Sequence, residues 1–220
     1  MFQFKKIKKF ILDNTIYRKH QIEYLNHLNK IFKNNSLDNN QNLILLEYYP
    51  SWSSIIFFTY LISILKKKYN ARTVLYLPIS PNKLKIIFYN ILLKFKLSHF
   101  NLLSFYSNEN LLIPNLSEIN VSTKYLKKLK SIKKKTNILG LKFEGIKIGD
   151  LLYDSYLRKY NAHTIDLKSD EFRNFFIYFS KLFIFWFKYI KKNKVKSVIA
   201  SHPVYENAVP LRISYSLKNK

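Results

Sequence analysis

The chain has 220 residues and a formal net charge of +25 at pH 7, from 38 Lys and Arg against 13 Asp and Glu, and 48% of it is hydrophobic. That much apolar material excludes global disorder, and the lack of any cysteine excludes disulfides, thiolate metal sites and cysteine nucleophiles together. The excess charge sits in 33 Lys rather than 5 Arg. Lys shares A/T-rich codons with the abundant Asn, Ile, Phe and Tyr, and Arg is the side chain suited to bidentate phosphate and guanine contacts, so the charge argues only weakly for nucleic acid.

The basic residues 1–12 contain too short an apolar run for a secretory signal. Residues 1–35 read as helical, with Ile7, Phe10 and Ile11 followed by Ile22, Leu25, Leu28, Ile31 and Phe32 on apolar positions. The polar stretch 34–42 (NNSLDNNQN) breaks that pattern, which divides the chain into a helical extension (1–40) and a main domain (41–220). Residues 43–47 (LILLE) form the short apolar run of a buried parallel strand, followed by a loop at 48–54 and a helix from Ile55 to about Tyr69. Residues 72–77 read as the next strand, 83–96 as a helix and 99–105 as a third strand. A Lys-rich helix is expected over 117–135, a short strand over 137–143, and helices over 149–160 and 169–193. Residues 195–200 (VKSVIA) are a strand, and Ser201, His202 and Pro203 turn the chain into a last helix near 207–218. Strands alternating with helices predict an α/β fold with a parallel, Rossmann-like sheet flanked by helices.

No segment reads as a membrane span. The most apolar, 175–190, carries Lys181 and Lys188, and 55–65 is only 11 residues long. Lysines beside aromatic residues leave a surface-lying role on anionic lipid open, with Tyr178, Phe185 and Tyr189 as residues that could touch a partner or membrane.

All three glycines, Gly140, Gly145 and Gly149, lie in one decade, where average usage would spread about fifteen along the chain. Their spacing matches neither a dinucleotide loop nor a phosphate-binding P-loop. Two readings stand: tight turns leading into a helix, or a ligand-facing loop. On the helix that follows, Asp150, Asp154 and Arg158 fall at i, i+4 and i+8. Helix-dipole and ion-pair stabilisation explain that stripe, and so does hydrogen bonding to a polyhydroxylated ligand.

Ligands of parallel α/β sheets bind beyond the carboxyl ends of the strands. That rule selects Glu47, Ser51, Trp52 and Ser53 after the first strand, and Ser201, His202, Tyr205 and Glu206 after the last. An imidazole at a strand tip, with a pKa near neutrality, is a candidate general base. The remaining histidines show no ligand spacing with carboxylates, so no metal site is expected.

At residues 143–158, FEGIKIGDLLYDSYLR, the chain resembles bacterial capsule-type surface-polysaccharide glycosyltransferases of the two-domain GT-B arrangement. The 195–201 strand with His202, and Pro210-Leu-Arg212, are similar to the end of their amino-terminal half; the likeness runs from about residue 43 onward and is most specific at 148–158. The resemblance implies an acceptor-side domain for a glycan or lipid-linked acceptor, with His202 and then Asp150 as the base that deprotonates the acceptor hydroxyl. Gly145, Gly149, Asp154, Arg158, Tyr205 and Glu206, with Glu47, Ser51, Trp52 and Ser53, would line the substrate side. It also implies a second, donor-binding domain that these 220 residues do not contain, a nucleotide-sugar donor held there with no tightly bound cofactor, and catalysis that needs both halves. The expected location is cytoplasmic, peripheral on the inner face of the plasma membrane. Two other readings are a non-enzymatic basic module, gripping nucleic acid or anionic membrane through the lysines of 124–135 and 188–196, and a decayed gene fragment.

Overall fold

The computed structural model describes residues 23–24, 26–28, 30, 41–49, 51–95 and 111–218. The elements in order are β1 (Asn42–Glu47), α1 (Trp52–Tyr69), β2 (Arg72–Tyr76), α2 (Lys83–Lys94), α3 (Thr123–Ser131) and α4 (Lys135–Leu139). They continue with β3 (Lys142–Phe143), β4 (Ile146–Lys147), α5 (Gly149–Tyr160), α6 (Asp170–Lys192), β5 (Lys194–Ile199), a 3-10 turn (Glu206–Ala208) and α7 (Val209–Lys218). The fold is α/β, as expected. The helix read over 1–35 is described only at residues 23–24, 26–28 and 30, which are helical, and the strand read over 99–105 lies outside the described residues.

β1 is the centre of a parallel sheet of order β2-β1-β5. Leu45 is level with Val74 on one side and Val198 on the other. Leu112 extends the β2 edge: its N–H donates to Leu75 O (2.8 Å) and its carbonyl accepts from Leu77 N (3.0 Å). Successive residues of a strand point to opposite faces, so the run Leu43-Ile-Leu-Leu46 serves two cores. Leu43 and Leu45, with Val74 and Tyr76, pack under α5, α6 and α7. Ile44 and Leu46, with Leu75, pack under α1 and α2, where Leu28 is also buried.

α6 is the largest single contributor to the core. Ser169 caps it by accepting the Phe172 N–H at 3.1 Å, and Asp170 and Glu171 stand in its first turn where the helix dipole favours acids. Phe172, Phe175, Phe176, Phe179, Phe183 and Trp186 are buried, and the Trp186 indole donates to the Pro78 carbonyl at 2.9 Å. Tyr178, Phe185 and Tyr189 are half-buried and packed against this core.

The segment 117–143 departs from expectation. The helix ends at Ser131, because Ile132 is extended (ψ 106) and turns its side chain into the core. Asn137 then starts α4 by accepting from the N–H groups of Lys133 and Lys134. Residues 137–139 are therefore helix, not strand. Ile138, in α4, and Leu141, beyond its end, are both buried, so the apolar residues of this stretch serve the core without forming a strand. The strand is only Lys142–Phe143, paired with Ile146–Lys147 across a two-residue turn at Glu144 (φ 49) and Gly145 (φ 79), both left-handed as a type I′ hairpin requires. Gly149 is fixed by packing: a Cβ there would lie 1.7 Å from the Ile138 carbonyl oxygen.

Candidate functional site

β1 leads through α1 to β2 on one side, while β5 lies against its other side. The loops after β1 and β5 therefore diverge from neighbouring strand ends, and this is the topological switch point where an open parallel sheet forms a crevice. The two strand-end clusters selected from sequence meet there.

Glu47 ends β1 and is 3% exposed. Its Oε2 accepts the Ser201 N–H at 2.5 Å, and the Ser201 and Asn207 side chains lie near its carboxyl. Burial pushes its pKa above the ordinary value, against the pull of these groups and of the His202 charge. His202 Nδ1 lies 2.9 Å from the Ser201 hydroxyl oxygen. The opposite ring nitrogen, Nε2, has no hydrogen-bond partner among the described residues. The exposed imidazole also meets the Tyr49 ring edge-on, 5.3 Å between centroids. Ser201 thus bridges a buried carboxylate, through its backbone N–H, and a solvent-exposed imidazole, through its hydroxyl.

Ser51 precedes α1 without capping it by its side chain; its hydroxyl lies 3.0 Å from that of the exposed Ser53. Trp52 opens α1, its side chain outside the described part of the structure.

A second cluster flanks the loop after β5. Tyr205 has φ 59 and ψ −165, a region that residues other than glycine occupy only under strain of about 1–3 kcal/mol. The Arg158 guanidinium lies 4.6 Å from the Tyr205 ring centroid. Beside it, Glu206 lies near the Tyr178 hydroxyl, and its buried Oε2 has no hydrogen-bond partner. Burial raises the Glu206 pKa against the charges of Lys159 and Arg158. The ion pair expected between Asp154 and Arg158 is not formed; Asp154 is exposed and Arg158 stacks on Tyr205 instead.

Asp150 is committed elsewhere. Arg212 grips it through two contacts of 2.9 and 3.3 Å and donates to the Lys147 carbonyl as well. Burial works to raise the Asp150 pKa, but Arg212 and the helix N–H groups outweigh it and hold the carboxyl below its usual range. Such a carboxylate is a weak base at neutral pH. Gly145 sits at the exposed hairpin tip and Gly149 at the buried start of α5.

Reading from sequence missed Asn207, Tyr178 and the role of Arg212. The charged residue closing an otherwise apolar strand, Glu47, was the one visible signal that the strand tip held a polar network. Among the described residues no group of three or more His, Asp or Glu side chains could hold a metal ion. No protein-family model, curated protein or solved structure matches this chain.

Proposed function

We propose that this chain is the Rossmann-like acceptor-side domain of a glycosyltransferase that builds bacterial surface polysaccharide. The observation that carries the reading is the Glu47–Ser201–His202 array at the switch point, together with the resemblance of residues 143–158 to capsule-type transferases. His202 Nε2 takes the proton of an acceptor hydroxyl. The freed oxygen attacks the anomeric carbon of a nucleotide sugar held by a second domain, and the bond from that carbon to the nucleoside diphosphate breaks with its electrons on the leaving phosphate. Glu47 anchors the Ser201 backbone, the Ser201 hydroxyl orients the imidazole, and the Glu47 carboxyl balances the imidazolium formed in the step.

The test is sugar transfer by the intact enzyme with a panel of nucleotide sugars and glycan or lipid-linked acceptors. His202→Ala lowers turnover about a hundredfold or more, and Ser201→Ala, which removes the hydroxyl beside His202 Nδ1 and keeps the backbone N–H bond to Glu47, lowers it less while moving the acid limb of the pH profile. Unchanged turnover in His202→Ala removes the imidazole from the role.

A peripheral membrane location has its own support. Phe57, Ile64, Leu84, Ile87 and Phe95 are 57–78% exposed on and just after α1 and α2, helices that contain no acidic residue and carry exposed Lys67, Lys68, Lys85 and Lys94. Apolar side chains within a basic rim suit an anionic lipid surface. Among the described residues no helix is long and apolar enough to cross a membrane.

A further inference from the structure

A groove of about 990 Å³ opens between α3 and the segment that leads into α6. Its walls carry Lys127, Lys130, Lys133, Lys168 and Arg173, none of which has an ion-pair partner among the described residues. Of the two acids present, Asp166 is tied into its own turn by accepting the Lys168 N–H at 2.9 Å, and Asp170 stands in the first turn of α6. The apolar part is entirely aliphatic: Leu126, Leu129, Ile132, Ile165 and Leu167.

That composition selects a ligand class. Single-stranded nucleic acid needs aromatic platforms on which bases stack, and no aromatic residue lines the groove. An aliphatic floor takes up hydrocarbon, at about 0.8 kcal/mol per buried methylene, while five cations around it attract a phosphate or carboxylate. We infer that this groove is a binding site for an anionic amphiphile, a hydrocarbon chain ending in a single phosphate or carboxylate head.

Its place in the fold is defined. α6 joins β5 through Asn193 alone and packs back along the sheet. It is about 34 Å long, against about 20 Å for a six-residue strand. Trp186 already reaches Pro78, just after β2, and Tyr178 lies near Glu206, after β5. The first turn of α6, and the groove with it, therefore extends past the carboxyl ends of the strands. The groove stands at the same end of the molecule as Glu47 and His202, and its assignment does not depend on their chemistry.

The experiment is calorimetric titration of the full chain with decyl phosphate below its micelle concentration, with inorganic phosphate and decyl maltoside as separate probes. Saturable one-to-one binding of decyl phosphate is expected, weakened about tenfold or more by the Lys127→Gln, Arg173→Gln pair and again by Leu126→Asn. These positions are exposed, so circular dichroism of the variants should match the parent. Loss of capture by phosphatidate-containing vesicles in the charge pair would assign a bilayer lipid as the source. Vesicle capture indifferent to the pair, with decyl phosphate binding still dependent on it, would assign a free amphiphile. The assignment is overturned by no saturable binding, by binding that neither variant weakens, by equal binding of inorganic phosphate, or by equal binding of decyl maltoside.

Discussion

Gly149 and Gly140 respond oppositely to an added methyl group. At Gly149 a Cβ would lie 1.7 Å from the Ile138 carbonyl oxygen and 2.9 Å from Leu141 N, all backbone, so α4 and α5 would have to separate. At Gly140, in ordinary right-handed conformation (φ −81), the nearest atoms are 3.7 and 3.9 Å away. Gly149→Ala should cost about 3 kcal/mol in urea unfolding, whereas Gly140→Ala should gain about 0.4–1 kcal/mol by restricting the unfolded chain. Equal effects would mean that the close approach of α4 to α5 is not what holds a glycine at 149. The sequence marked this decade as special through its glycines, but separating the packing glycine from the replaceable one required the Ile138 carbonyl, which only the fold brings there. Tyr205 is less legible still: nothing in a tyrosine's identity announces φ 59, which occurs where the chain turns into the 3-10 turn at Glu206.

Elements were legible where one face is continuously apolar. α5 and α6 match their expected spans closely, and in α6 caps and periodicity agree, from Ser169 with Asp170 and Glu171 at one end to Lys191 and Lys192 at the other. The region around Ile132 was not legible, since a single inward-turned isoleucine inside a lysine-rich run looks like one more residue of a helical face. α6 also carries a long-range tie that periodicity cannot show, the Trp186 indole on the Pro78 carbonyl. Trp186→Phe removes that donor and leaves a void beside Tyr76, whose ring lies 5.1 Å away edge-on. A loss of about 2 kcal/mol is expected, with the exposed Lys188→Ala staying within about 0.5 kcal/mol as control. Equal losses in the two variants would show that the indole is not an anchor between α6 and the loop after β2.

At the scale of the whole molecule, buried acids and surface cations set the response to solution conditions. Glu47 and Glu206 have folded pKa values raised above the ordinary 4.5, chiefly by burial. The folded state therefore keeps their protons longer than the unfolded chain, and their contribution to stability, present in full below about pH 4.5, is lost as pH rises through the folded values. Asp150 works in the other sense: its lowered value stabilises above the unfolded pKa, and that stability is lost as pH falls through the folded one. Thermal unfolding of Glu206→Gln should accordingly gain on the parent between pH 4 and pH 7; a difference that does not change with pH would mean that burial of this carboxyl is not felt. The cations act outward instead. With no acidic residue on α1 or α2, nothing on those helices repels an anionic bilayer, and exposed Phe57 and Ile64 supply the apolar contact. Sedimentation with phosphatidylglycerol vesicles should bring down the chain, at low salt more than at high, and neutral phosphatidylcholine should bring down little. Phe57→Asn with Ile64→Asn should weaken capture about tenfold or more, because each buried apolar side chain contributes about 1.5–3 kcal/mol. Charge alone would give the same preference for anionic lipid without sensitivity to that pair, so retention of full binding by the double variant would leave the lysines as ordinary solvated charge and the α1–α2 face without a membrane role.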